Sequence, residues 1–414
     1  MLFLKDATFL DWKTPRLRRG GFEVSPGKVR FTPRPTPGAR VLDCSGRLVT
    51  KSFAVAHHHL YSALARGMPP PRRAPKDFVD LLRLVWWNLD KKLDRDMVRA
   101  CALAGAVEAA KAGTTFIIDH HSSPNFVPGC LDEIASALEE IGLSHLLCYE
   151  LSDRDGAASR DEGLRETERH LGRRQGLVGL HASFTVSDSL LAKAAALART
   201  FGTGIHVHAA EAVSDERHCL KAHGVRVLER FEAAGVLHSS KTLLAHGIHL
   251  DPRERKIFRD NPAWLVENPE SNQNNAVGKF RAEGLGDRLM LGTDGMHGDA
   301  LAAARASFLA GQAEGGYFPA AAYARLRRVH DYIGANGFSG DGDDNLVVLD
   351  YASPTPVTEK NWAGHVLYGL NRSHVESVIA RGRLIVHRRK LVSADEEKIL
   401  KFTRKQAERL WRKL

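Results

Sequence analysis

Disulfides can be set aside first. The chain carries only five cysteines in 414 residues (Cys44, Cys101, Cys130, Cys148 and Cys219). The number is odd and no CxxC pair occurs, so neither a disulfide frame nor a Cys-rich zinc site is expected. Reduced thiols fit a cytoplasmic protein, and that is the expected location. Long hydrophobic runs are missing as well. No apolar run reaches the ~18 residues of a membrane span, and Met1-Leu2-Phe3-Leu4-Lys5-Asp6 lacks a signal-peptide layout. No membrane partner is expected. Charge of one sign is also in short supply. Lys and Arg outnumber Asp and Glu by 59 to 49, a net charge of +10. A surplus spread this thinly lacks the clustered basic face, interleaved with aromatics, that nucleic-acid binding needs. No nucleic-acid partner is expected either.

What is present is a change of texture along the chain. Residues 1–50 and 340–395 read as short strands broken by turn formers such as Pro26-Gly27 and Pro37-Gly38. The two pieces are expected to meet as one small discontinuous β-sandwich domain. Residues 51–339 alternate short buried-strand runs with helical stretches. The runs begin at Ser52, Thr114, Ser144, Gly176, Gly204, Thr242, Ala263 and Arg288, with helices such as Met97 to Ala112, Cys130 to Ile141 and Leu190 to Phe201 between them. Eight such units over this length predict a (β/α)8 barrel of the TIM type. Residues 396–414 hold the one basic concentration, with apolar residues at helical spacing. They predict a basic amphipathic helix packed by one face on the body.

The ends of the predicted barrel strands carry polar groups: His57/His59, Asp119-His120-His121, Glu150, His181, His208, His246, Asn268 and Asp294. Packing gives a core strand no reason to end this way so often, and active sites of such barrels lie at these ends. On an extended strand His57 and His59 share a face and His58 points away. The pair makes a pincer for a transition metal. Ile205-His206-Val207-His208-Ala209-Ala210-Glu211 adds His208 as a third imidazole, and Glu211 sits in the turn above it. His206, one layer lower, reads as a core or supporting histidine. Thr293-Asp294-Gly295 supplies an anionic fourth ligand. Three imidazoles and a carboxylate leave room for water or substrate, as a catalytic zinc requires. Taken singly, Glu211 also reads as a helix-cap partner and Asp294 as a turn former.

These residues resemble a known family. His57-x-His59, His208-x-x-Glu211, Leu244-Ala245-His246-Gly247 and Leu291-Gly292-Thr293-Asp294-Gly295 resemble the amidohydrolase superfamily, and within it the aminohydrolases that deaminate or dechlorinate nitrogen heterocycles. A closer resemblance is to the SsnA-like branch of aminohydrolases. It rests on His57-His58-His59-Leu60-Tyr61-Ser62-Ala63, Trp86-Trp87-x-Leu89-Asp90, Asp119-His120-His121, Cys148-Tyr149-Glu150-Leu151-Ser152-Asp153-Arg154-Asp155-Gly156 and Asn268-Pro269-Glu270-Ser271-Asn272. The resemblance implies one divalent metal ion per chain, zinc or alternatively iron, on His57, His59, His208 and Asp294. It implies Glu211 as proton shuttle, His246 and Asp294 as the groups that hold the nucleophile, and His181 in contact with a small heterocyclic substrate. The reaction implied is deamination with release of ammonia. The alternatives are displacement of chloride or another leaving group from a similar ring, and a catalytically silent metal-binding scaffold. No lysine ends the fourth strand, so a mononuclear site is expected.

Two departures stand out. Lys51-Ser52-Phe53 replaces the Pro-Gly turn usual before the first His pair, and Glu267 stands before Asn268-Pro269 where many relatives have His. For the pocket wall, Trp86 is expected to stack on a planar ring, from a helix over Phe78 to Trp87. His121 is expected near the mouth or, more simply, in a structural hydrogen bond, and Asn272, with Asn274 and Asn275, to read exocyclic groups or to cap its loop. A homodimer is left open, with the Trp86 insertion as a contact.

Overall fold

The computed structural model describes residues 1–313 and 317–414. Eight parallel strands form the central sheet: Phe53–His58, Thr114–His121, Ser144–Leu151, Val178–Ala182, Ile205–Ala209, Leu243–His246, Trp264–Glu267 and Leu289–Leu291. They run in sequence order across the sheet. Closure comes from a parallel bridge between His58 and Asp294. There the Thr293 N–H donates to the His57 carbonyl at 2.9 Å and the His59 N–H to the Asp294 carbonyl at 3.1 Å. Helices connect the strands, as the alternating pattern predicts, and the fold is a (β/α)8 barrel. Helix starts are locally encoded. Asp94 caps Arg95–Lys111 by accepting the Met97 N–H, and Ser187 caps Asp188–Thr200 by accepting the Leu190 N–H.

Strands from both ends of the chain build a separate mixed sheet. Leu2–Leu10, Leu17–Ser25, Lys28–Phe31, Arg40–Asp43 and Leu48–Lys51 join Leu346–Leu349, Val375–Ala380, Arg383–His387 and Lys390–Leu391. The join is antiparallel pairing of Leu48–Lys51 with Leu346–Leu349. Leu4, Phe22, Val24, Val49, Leu346 and Ile379 form part of its own apolar cluster. The last helix, Glu396–Trp411, buries Ile399, Thr403, Gln406 and Leu410 along one stripe. Its basic residues face outward, except where Arg409 pairs with Asp94 at 2.8 Å. Among the described residues no helix is long and apolar enough to cross a membrane.

The insertion after the first strand is helical but not uniformly so. An α-helical turn, Phe78–Leu81, runs into a π-helical turn, Leu82–Trp86, and then into Trp87–Leu89. A π turn adds a residue to the helical repeat and rotates the residues after it about the axis. Trp86 and Trp87 both reach the cavity as a result.

Candidate active site

The strand ends converge on a cavity of about 400 Å3 at the C-terminal mouth of the barrel. His57 and His59 face inward. His58 faces out and bonds Thr293 Oγ1 through Nδ1 at 2.9 Å, so the alternation expected of an extended strand holds. Potential ligand atoms of His57, His59, His208 and Asp294 all lie within 4.8 Å of one another. Asp294 Oδ1 is 3.0 Å from His59 Nε2 and 3.5 Å from His57 Nε2. His246 and Asp294 hold left-handed backbone conformations, with φ of 75° and 49°. Such φ values are uncommon for residues other than glycine and gather at functional sites. At Gly292 a Cβ would lie 2.2 Å from Asn268 Oδ1 and 2.9 Å from the His57 Cβ, so only glycine lets the last strand pass this close.

Hydrogen bonds fix which ring nitrogens are free. His59 Nδ1 donates to the His120 carbonyl at 2.6 Å, and His208 Nδ1 to the His181 carbonyl at 2.7 Å. With each Nδ1 so committed, the Nε2 atoms of the two rings face each other at 3.1 Å. His57 Nε2 is buried with no hydrogen-bond partner. Leaving buried polar atoms unpaired costs ~1–3 kcal/mol each, a cost that a cation among them would relieve. Burial drives His57 and His208 well below the ordinary imidazole value. It pulls His59 down too, but the Asp294 carboxylate outweighs it and holds that ring up at about 9. Burial raises the Asp294 carboxyl, yet the His57 and His59 imidazoles beside it outweigh that and keep it well below the carboxylate range. Three imidazoles and one anionic oxygen match the donor set of a catalytic divalent metal, and a bound cation would displace the proton that Asp294 holds on His59.

Glu211 and His246 complete the open side. Glu211 Oε2 is 3.6 Å from His246 Nε2, which is 3.8 Å from Asp294 Oδ2. Burial, with Asp294 close by, pushes the Glu211 carboxyl well above the usual range. Burial lowers His246, whose Nδ1 bonds Asn272 Oδ1 at 2.8 Å. His181 lines the cavity, its Nδ1 2.6 Å from Thr185 Oγ1, and burial holds it neutral, down to about 4.

Three residues lie off the outer wall. Asn272 lies behind His246, bonded to it, and the cavity is lined there by Ser271, Asn274 and Asn275 instead. The helix starting at Pro269 turns Asn272 inward. His121 is also off the wall: it is buried, its Nε2 2.9 Å from Ser123 Oγ, because the alternation that points His120 inward points His121 away. Glu267 faces the surrounding helices, where Ser307 Oγ donates to it at 2.9 Å and Arg325 pairs with it at 2.7 Å. The residue before Asn268-Pro269 therefore does not touch the cavity in this chain.

Trp86 lines the cavity as expected, and Trp87, Phe78, Leu82 and Tyr61 join it. Glu150 and Arg154, which sequence reasoning leaves without a role, also line the cavity, the Arg154 guanidinium 5.3 Å from the centre of the Trp87 ring. Arg154 Nη1 is 3.1 Å from Glu150 Oε1, and Arg154 also pairs with Asp90, the residue just after the tryptophan insertion. Glu150-x-x-x-Arg154 carries a signal: opposite charges four apart at a strand end.

Comparisons with known proteins bear on the family and the fold. The model of the amidohydrolase family matches residues 52–328. A 5'-deoxyadenosine deaminase from Methanopyrus kandleri is 29% identical, over 80% of each chain. A 5-methylthioadenosine/S-adenosylhomocysteine deaminase from Thermoanaerobacter pseudethanolicus is 26% identical, over 90% of this chain and 89% of that one. Among solved structures, a zinc-bound adenosine deaminase from Xanthomonas campestris shares the fold with a TM-score of 0.82, at 18% identity and 99% coverage of both chains. The zinc complex of an atrazine chlorohydrolase from Arthrobacter aurescens does so with a TM-score of 0.83, at 18% identity, covering 98% of this chain and all of the other. The family match spans well over half the sequence and includes every strand-end residue of the site, and the chain belongs to the amidohydrolase family.

Proposed function

We propose that the protein is a metal-dependent aminohydrolase that removes an exocyclic amino group from a nitrogen heterocycle as ammonia. One observation carries the reading: His57, His59, His208 and Asp294 converge at the floor of the cavity, with Glu211 and His246 on its open side. The orphaned Nε2 of His57 and the facing Nε2 atoms of His59 and His208 support one divalent ion at these four residues. Zinc fits their chemistry best, and the zinc in the similar structures points the same way. When bound, such an ion lowers the pKa of a coordinated water from ~15.7 to ~7 and so makes hydroxide available at neutral pH.

The protein's own groups do the rest. Glu211 takes a proton from the attacking water and passes it to the leaving nitrogen. Water supplies the oxygen and both protons: the C–O bond forms, the C–N bond breaks, and one proton ends on ammonia and the other on the product ring. The raised pKa of Glu211 suits a group that must gain and lose a proton near neutrality. His246, held by Asn272, orients the water against Asp294. His181 contacts the ring, and the Phe78, Trp86 and Trp87 wall offers it a face to stack on. The relatives named above act, by their names, on adenosine-derived compounds, so 5'-substituted adenosines are the first substrates to try, ahead of free purines, pyrimidines and pterins. Elemental analysis beside an ammonia-release screen tests the reading. Chloride release from halogenated rings without ammonia release from any aminated one would move it to the dehalogenating alternative.

A further inference from the structure

Two of the three imidazoles at the metal centre, those of His59 and His208, are held by backbone carbonyls, but His57 is held by another side chain. Its Nδ1 lies 2.8 Å from His206 Nε2. His206 shares the fifth strand with His208, two residues earlier, and so faces the same way one layer deeper. The far nitrogen of His206, Nδ1, is 3.7 Å from Cys148 Sγ, which in turn is 3.5 Å from the Asp119 carbonyl. His57, His206 and Cys148 are fully buried. No solvent reaches them to supply a substitute partner.

The direction of every bond in this chain is set from one end. A His57 that offers the Nε2 lone pair to a cation must carry its proton on Nδ1. His206 Nε2 must then accept, so the His206 proton sits on Nδ1 and points at the Cys148 sulfur. The thiol hydrogen is left for the Asp119 carbonyl, which can only accept. No other assignment satisfies all three contacts. Partners of metal-bound imidazoles are commonly carboxylates, carbonyls or water. Here the partner is a neutral imidazole backed by a thiol, so it adds no negative charge beneath the site.

We propose that His206 and Cys148 are positioning residues for metal binding, a buried imidazole–thiol relay that holds His57 in the tautomer and ring orientation that present Nε2 to the cation. The inference rests on the metal centre proposed above. The test is zinc affinity of the full chain, measured by chelator competition after stripping, with folding checked by circular dichroism. His206→Leu, which fills the space but accepts no hydrogen bond, should weaken zinc binding ~10–100-fold. His206→Gln, whose amide oxygen can accept from His57 Nδ1, should recover most of that loss, and Cys148→Val should weaken binding several-fold. A folded His206→Leu with the parent's affinity, or a His206→Gln as weak as His206→Leu, overturns the relay. Should His206→Leu fail to fold, imidazole 15N spectra of the zinc-loaded parent decide. A proton on His206 Nδ1 supports the relay and one on Nε2 contradicts it. A parent chain that binds no zinc overturns the metal centre itself and this inference with it.

Discussion

The Nε2 atoms of His59 and His208 stand 3.1 Å apart, while the Nδ1 of each ring is already committed to a backbone carbonyl. Two ring nitrogens this close need a positive charge at hand, either the proton that Asp294 holds on His59 or a bound cation in its place.

Glu211 sits beside the proposed ligand set, 3.6 Å from His246, and is proposed to move protons. Glu211→Gln should keep its metal and lose turnover by ~10²–10⁴-fold, the usual contribution of a general acid–base group. Steady-state ammonia release with metal analysis on the same sample checks both halves.

Arg154 joins the tryptophan insertion to the barrel through Asp90 and Glu150. Arg154→Met leaves two buried carboxyls facing each other and should cost ~3–5 kcal/mol of stability. Adding Asp90→Asn should restore part of it, because the two sites share one network. Urea unfolding of the two single variants and the double variant measures the coupling.

A pH-dependent weakness lies away from the cavity. Glu216 and Glu254 are both buried beside Arg226, which pairs with Glu254 at 2.6 Å and Glu216 at 3.4 Å. Burial, then the Glu254 charge, raises Glu216 from 4.5 to about 9. The folded state therefore keeps a proton that the unfolded chain releases above pH ~4.5, and stability falls as pH rises from there toward 9. Glu216→Gln cannot titrate. It should be more stable than the parent at pH 8, and the two should agree near pH 4.5 to within about 1 kcal/mol. Thermal unfolding at the two pH values reads the difference.

Gly292 leaves no room for a side chain between Asn268 and His57. Gly292→Ala must push the last strand away from the first, and with it Asp294. A loss of ~1–3 kcal/mol is expected, together with weaker metal binding. Unchanged zinc affinity in a stable Gly292→Ala chain would show that the strand spacing is not what places Asp294.

The barrel is legible in the sequence because short apolar runs recur eight times with helical stretches between most of them, and the inward face of His57 and His59 comes from strand geometry alone. The ligand set is legible for the same reason: polar residues end apolar runs. Local rotation is not. Asn272 sits on a short helix whose start at Pro269 is clear, but its inward turn onto His246 depends on how the helix docks. His121 is one step of alternation away from the expected wall, because Asp119-His120-His121 gives no sign of which histidine faces in. Trp87 joins Trp86 at the cavity through a π turn, a feature with no simple sequence mark. The left-handed φ of His246 and Asp294 is equally silent, since glycine comes after each without occupying the strained position.

Metal content tests the central claim most directly. Purified chain should carry one equivalent of a divalent ion, zinc when zinc is supplied, and Asp294→Ala and His208→Ala should each lose it while remaining folded by circular dichroism. Retention of a full equivalent in both variants, or no binding by the parent at micromolar zinc, would contradict the account.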